Sequence, residues 1–145
     1  MTAIAVVGSI NADLTTHVHR HPSPGETLLG SGGDISAGGK GANQAVAAAQ
    51  LGADVTMIGA VGSDSMAAAA LEHLHNSGAD TSAITTVAGP TGLAVITVAE
   101  DGENTIIVVP GANASVDAAY VNAHAETVAG AGILLLQGEI PASGF

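Results

Sequence analysis

The chain has 145 residues, 47% apolar but only 1% aromatic, with no cysteine and a formal net charge of −11 from 13 acidic against two basic side chains. That length suits one domain with a core of Ala, Val, Ile and Leu, and the lack of thiols excludes disulfides and thiolate metal sites and agrees with a cytoplasmic protein. The acidity argues against nucleic acid and anionic membrane as partners, and no apolar run approaches the roughly 18–20 residues of a membrane span.

The apolar start, Met1 to Val7, has no basic segment ahead of it. It reads as the beginning of a first strand, Ala3–Ser9, rather than as a secretory signal. The continuous apolar run is that of a strand buried on both faces. Weaker, more exposed strands are predicted over Leu14–His19 and Thr27–Ser36, parted by the turn-rich His21-Pro22-Ser23-Pro24-Gly25. Gly41–Leu51 reads as an Ala-rich helix closed by Gly52, and Asp54–Val61 as another buried strand. Ser65–Asn76 reads as a helix capped by Ser63 or Asp64 and ended by Gly78. Strands follow over Thr81–Val87, Gly92–Ala99 and Asn104–Val109, the last two joined as a hairpin at Asp101-Gly102. A helix from Ser115 (or Asn113) to Ala129 and a buried strand Ile133–Gln137 complete the reading. Alternating strands and helices predict an α/β fold, a largely parallel sheet covered by helices. The less buried pieces, Leu14–Ser36 and Gly92–Val109, are expected to form a small second sheet. The main sheet is expected to be cut off at its final strand.

The chain's one lysine, Lys40, stands among glycines in Ala37-Gly38-Gly39-Lys40-Gly41-Ala42-Asn43-Gln44-Ala45. Glycines permit close backbone approach, and the following helix is expected to offer free N–H groups and a partial positive charge. Lys40 adds a cation, and Asn43 both a donor and an acceptor. Together they suit a ligand rich in hydroxyls or oxyanions. A Walker A loop is excluded, because Asp34 stands where its first glycine belongs and Gly41 follows the lysine. A dinucleotide fingerprint fails because Gln44 takes its last position. The plain alternative is a glycine-rich connection with a solvated lysine. After the first strand, Asn11 and Asp13 fall where ligands sit in open α/β sheets. Asp13 can accept from two vicinal hydroxyls and Asn11 can donate or accept; the plain alternative there is an Asx-turn. His17, His19 and His21 alternate and would share a strand face, but with no carboxylate placed beside them no metal site is assigned. His73, His75, His124 and the Glu100-Asp101-Gly102-Glu103 tip read as solvated.

The segments Gly8-Ser9-Ile10-Asn11-Ala12-Asp13, Pro24-Gly25-Glu26-Thr27 and Gly38 to Ala45 together resemble the PfkB, or ribokinase-like, carbohydrate kinase family. Gly59 to Asp64, Thr91-Gly92, Gly102-Glu103-Asn104 and Pro110 to Asn113 continue the resemblance in order. Leu135 to Pro141 resembles the family's strand bearing a sugar-contacting glutamate, here Glu139. The resemblance implies that residues 1–145 are the N-terminal part of one ribokinase-like α/β/α domain, with a β-sheet lid from segments 14–36 and 92–109. It implies a homodimer through that lid, and ATP with Mg2+ and a monovalent cation whose sites lie mostly outside this chain. The implied activity is phosphorylation of a sugar hydroxyl, first of all D-ribose to ribose 5-phosphate. The implied sugar-site positions are Asn11, Asp13, Gly38, Gly39, Lys40, Asn43 and Glu139, which would hold a primary hydroxyl in line with ATP. The family's catalytic aspartate lies in an Asp-Thr-x-Gly-Ala-Gly-Asp-like segment with no counterpart here; Asp64, Asp80, Asp101 and Asp117 lack its glycines. No catalytic residue is therefore assigned, and the chain is expected to be a truncated kinase, inactive alone. Two alternatives stay open: a kinase for another sugar or a nucleoside, and a non-catalytic sugar-binding or dimerising module.

Overall fold

The structure, a computed structural model, describes residues 3–145; Met1 and Thr2 of the apolar start lie outside the described residues. In chain order the elements are β1 (Ala3–Val7), β2 (Asn11–Val18), β3 (Ser31–Gly38), α1 (Lys40–Gln50), β4 (Asp54–Val61), α2 (Met66–Ser77), β5 (Ile84–Thr86), β6 (Gly92–Ala99) and β7 (Asn104–Val109). A 3-10 turn (Gly111–Ser115), α3 (Ala118–Ala123), α4 (Ala125–Gly130), β8 (Ile133–Leu136) and a last 3-10 turn (Ala142–Gly144) follow.

Strands β5-β4-β1-β8 form a sheet whose pairings are all parallel. Its two faces are set by the alternation along β1. Val6 points to one side, where Val55, Met57 and Val61 of β4 meet Ala45 of α1 and Ala70 and Leu74 of α2. Ala5 and Val7 point to the other, where Ile58 and Ala60 meet Val116 and, at its margin, Tyr120, Val121 and Val128 of α3 and α4. Helices on both faces explain why β1 and β4 are continuous apolar runs. Met57, Ile58 and Leu74 are wholly buried, and each contributes about 1.5–3 kcal/mol to this core.

The second sheet has the order β3-β2-β6-β7, with β2 and β6 parallel and both outer pairings antiparallel. It is the small second sheet expected from sequence, and the predicted hairpin is its β6–β7 pair. Only Gly8, Ser9 and Ile10 separate β1 from β2, so the chain passes directly from the carboxyl end of the main sheet's inner strand into the second sheet.

Boundaries differ from expectation where side chains compete for the backbone. Strand β2 starts at Asn11, so Asn11 and Asp13 are strand residues two apart, not members of an Asx-turn. Strand β3 runs from Ser31 rather than Thr27, and its partner register slips between Thr15 and Thr16. Helix α1 ends as expected, with Gly52 donating to Ala49 and Ala53 to Ala48 in a Schellman arrangement. Ser63 does not cap α2, and Asp64, which meets the Met66 N–H at the start of the helix, is engaged chiefly elsewhere. Asp64 accepts from the Thr91 backbone and hydroxyl at 3.1 and 2.7 Å, and Ser63 Oγ accepts from Gly89 N. Strand β5 is shorter than Thr81–Val87 because Asp80 Oδ1 accepts from Ser82 N at 2.8 Å and bends the chain there. The helix predicted to run to Ala129 is divided. Asp117 caps α3 by accepting from Tyr120 N at 3.0 Å, and His124 separates α3 from α4. Among the described residues no helix is long and apolar enough to cross a membrane.

Candidate functional site

Ser9, fully buried at the crossing between the two sheets, joins three distant parts of the chain. Its N–H donates to Gln137 Oε1 at 3.1 Å and its hydroxyl to Glu139 Oε2 at 2.9 Å, both just beyond β8. The same Oγ accepts from Gly41 N at 3.4 Å, and Ser9 O accepts from Ala42 N at 2.9 Å. The first turn of α1 is thereby capped by a residue 32 positions away. Ser9 thus takes the N–H groups of Gly41 and Ala42, whereas the Lys40 N–H faces Glu139.

Glu139 is held at both oxygens, by Ser9 and by Lys40 Nζ at 2.7 Å from Oε1. Burial pushes its carboxyl up, but the hydrogen bonds from Lys40 and Ser9 outweigh this and hold it below the usual carboxylate range. The Lys40 side chain is 72% exposed, so the pair orients Glu139 more than it stabilises the fold. Asp13, by contrast, is raised, first by burial and then by the charge of Glu139. Two carboxylates facing one space, only one of them paired with a cation, favour a ligand that donates hydrogen bonds.

Gly38 and Gly39 make this arrangement sterically possible. Gly38 pairs with Asn11 across β2 and β3, and a Cβ there would lie 2.2 Å from Asp13 Oδ2. Gly39 has φ of 93°, and a Cβ there would meet Asn11 N and Ser9 O at 2.7 Å. At Gly39, where the neighbours are backbone atoms, approach this close requires glycine.

Asn11, Asp13, Gly39, Lys40, Asn43 and Glu139 line a cavity of about 190 Å3, whose other wall is Ala94, Ile96, Ile106 and Val108. Such a volume, below the roughly 300–1,000 Å3 of drug-sized sites, suits a ligand of a few carbons. The structure thus brings together six of the seven residues singled out from sequence, and the seventh, Gly38, stands behind Asp13. A larger space of about 450 Å3, bounded by Asn11, Val108, Pro110, Asn113 and Glu139 among others, adjoins it. The apolar wall was not anticipated, although its period-two spacing on β6 and β7 is visible in the sequence. Asn113 was also missed. It is 1% exposed and reaches back to Ile10 and Asn11.

The histidines of β2 and its extension form no metal cluster among the described residues. The expectation that no carboxylate stands beside them is corrected, because His19 Nδ1 lies 2.6 Å from Glu100 Oε2. The β6–β7 connection carries Glu100 back over the end of β2, a proximity of 81 positions that no local pattern encodes. His21 Nε2 lies 3.2 Å from Glu103 O.

An α/β core with helices on both faces carries a second sheet over its carboxyl end, and a carboxylate-lined cavity lies between them. The profile of the pfkB family carbohydrate kinases matches residues 1–145, and the chain belongs to that family. More particularly, it is similar to the ribokinase of Haemophilus influenzae, with 44% identity over 142 residues, covering 97% of this chain and 46% of that protein. Among solved structures it is similar to the ribokinase of Thermotoga maritima, with a TM-score of 0.90, 35% identity and 99% of this chain covered against 48% of the other. It is similar also to Arabidopsis thaliana ribokinase complexed with ribose and ATP, with a TM-score of 0.81, 37% identity and coverages of 98% and 47%. The chain spans about half the length of the curated relatives it matches.

Proposed function

We propose that this chain is the sugar-holding part of an ATP-dependent kinase that converts D-ribose to ribose 5-phosphate. The observation that carries the reading is the convergence of Asn11, Asp13, Asn43 and the Lys40-oriented Glu139 on one small cavity where β1 hands the chain to the second sheet. A carboxylate accepts from two adjacent hydroxyls at once, and the amides complete the set. Ile96, Ile106 and Val108 give the carbon face of the sugar an apolar wall and exclude water from it. The similarity to ribokinases supports ribose over a hexose or a nucleoside.

The second sheet is the lid in this reading, with β2 and β3 contributing segment 14–36 and β6 and β7 segment 92–109. Strand β7 is exposed along its whole length, with Ile107 at 67%, which supports pairing of two lids in a homodimer.

The phosphate donor in this reading is ATP with Mg2+, which supplies the transferable phosphoryl group. The described residues do not fit it. Lys40 is paired with Glu139 and Arg20 with Glu26, and no group of three His, Asp or Glu could hold a metal ion among them. The chain's own residues therefore bind and orient the sugar, exclude water from one side of it and hold its hydroxyls in register. None is assigned as the base that deprotonates the sugar, so the isolated chain binds without turnover.

The test is calorimetric titration of the purified chain with ribose, fructose and adenosine, alongside a search for ATP-dependent phosphorylation of each. Ribose binding preferred over the other two, with no product, is expected. Preference for fructose or adenosine overturns the assignment of substrate, and sugar phosphate made by this chain overturns the division of labour.

A further inference from the structure

Asn113 is buried, lies 102 positions from Asn11 in sequence, and has both of its amide atoms engaged by groups of known polarity. Its Oδ1 receives the backbone N–H of Ile10 at 2.9 Å, and its Nδ2 donates to the carbonyl of the same residue at 3.2 Å. A backbone N–H can only donate and a backbone carbonyl can only accept. The two ends of Ile10 therefore fix which way the Asn113 amide faces. Turning it over would set N–H against N–H and oxygen against oxygen. The second hydrogen on Nδ2 then points at Asn11 Oδ1, 2.8 Å away, so that atom must be the acceptor. Asn11 is itself 3% exposed and lines the cavity. With its oxygen consumed, what it turns toward the cavity is its Nδ2, which has no hydrogen-bond partner within the protein among the described residues.

We propose that Asn113 is a positioning residue that fixes Asn11 as a hydrogen-bond donor to the ligand. Its bearing on the sugar rests on the ribose-binding reading above; the orientation of the two amides does not. The site then has a defined polarity. Asp13 accepts from one side and Asn11 donates from the other, so a hydroxyl between them donates a hydrogen bond to Asp13 and accepts one from Asn11. A ligand atom that only donates, such as an ammonium, meets the wrong partner at position 11. Sequence alone leaves Asn11 free to donate or accept, and Asn113 removes that freedom.

The substitution that separates positioning from bulk is Asn113→Asp. It retains an acceptor for Ile10 N and the shape of the side chain, but loses the donor to Asn11 Oδ1 and to Ile10 O. The Asn11 amide is then expected to turn over, giving its N–H groups to Asp at position 113 and presenting its oxygen to a cavity already lined by two carboxylates.

Two measurements decide it. In the first, the unliganded, 15N-labelled chain is examined by NMR. The side-chain amide protons of Asn113 are expected to exchange slowly and to show contacts to Ile10, while those of Asn11 exchange quickly. In Asn113→Asp the Asn11 protons become the slow ones. Slow exchange at Asn11 in the unsubstituted chain, or no change on substitution, overturns the proposal. In the second, ribose affinity is measured through a double-mutant cycle. Asn113→Asp is expected to weaken binding about tenfold, the usual worth of one buried hydrogen bond. In an Asn11→Ala background the same change should have no further effect, because Asn113 acts through Asn11. An equal loss in both backgrounds shows that the residue matters only structurally, against the proposal. If the chain binds no sugar, the functional reading fails, and the exchange measurement still decides the orientation. If Asn113→Asp does not fold, the exchange pattern of the unsubstituted chain decides alone.

Discussion

Replacing Gly38 by alanine should disable the cavity while leaving the fold standing. Gly38 ends β3 in an ordinary strand conformation, so its backbone accepts a Cβ. The obstacle is the Asp13 carboxyl group, whose Oδ2 would be 2.2 Å from the new atom and whose Cγ and Oδ1 would each be 2.3 Å away. Non-bonded contact needs about 3.5 Å, so the carboxylate must swing by more than about 1 Å out of its position. It is the tip of a side chain and can do so, and the change in stability should stay within about 1 kcal/mol. A charged hydrogen bond to the ligand is worth about 1.5–3 kcal/mol, so its loss should weaken ribose binding about 10- to 150-fold. Gly39→Ala is the contrast. There the φ of 93° and the backbone atoms of Ser9 and Asn11 at 2.7 Å leave nothing able to yield, and a loss of about 2–4 kcal/mol is expected. Thermal melts and calorimetric ribose titrations of the two variants separate the effects. Gly38→Ala binding ribose within about twofold of the parent chain, or melting as early as Gly39→Ala, would refute this account of the glycine pair.

Three further predictions follow from the hydrogen bonds and charges. Asp13 has a raised folded-state pKa, so its ionised form costs stability as the pH rises above the ordinary 3.8 and through the raised value. Asn at position 13 removes that cost: Asp13→Asn should melt higher than the parent at pH 7, with the advantage shrinking as the pH falls toward 3.8, and an unchanged or lower melt at pH 7 would count against it. Lys40→Met takes away the ammonium that helps hold Glu139 low, so an NMR titration of the Glu139 carboxyl should move upward; an unmoved midpoint would show that the pair does not form in solution. Thr91→Val leaves buried Gly62 N without its acceptor at 3.0 Å, and chemical denaturation should show a loss of about 1–3 kcal/mol.

What sequence could and could not convey divides along the range of the interactions. The spans of β4, β6 and β7 follow the sequence reading because their signals are local: continuous apolar runs, Asp101-Gly102, and the glycines beyond the helices. Lys40 and Glu139 were singled out separately, on a glycine loop and a strand end, without any sign that their side chains touch. Ser9 was legible only as part of a motif, because its partners Gln137 and Glu139 lie 128 and 130 positions away. In sequence, Ser115 or Asn113 reads as the start of a helix. Here the tertiary demand of Ile10 and Asn11 takes the Asn113 side chain, and Asp117 caps the helix. The period-two pattern that places Ile106 and Val108 on the cavity face was visible, but which face would look onto a ligand depends on the second sheet's position over the first.

The claim on which everything else depends is that the space between the sheets holds ribose. The most direct measurement is a titration of the 15N-labelled chain with D-ribose, followed residue by residue in NMR spectra. Saturable shifts confined to Asn11, Asp13, Gly38 to Asn43 and Glu139, and absent in Asp13→Ala, are predicted. Shifts that map elsewhere, or persist unchanged in Asp13→Ala, would contradict it.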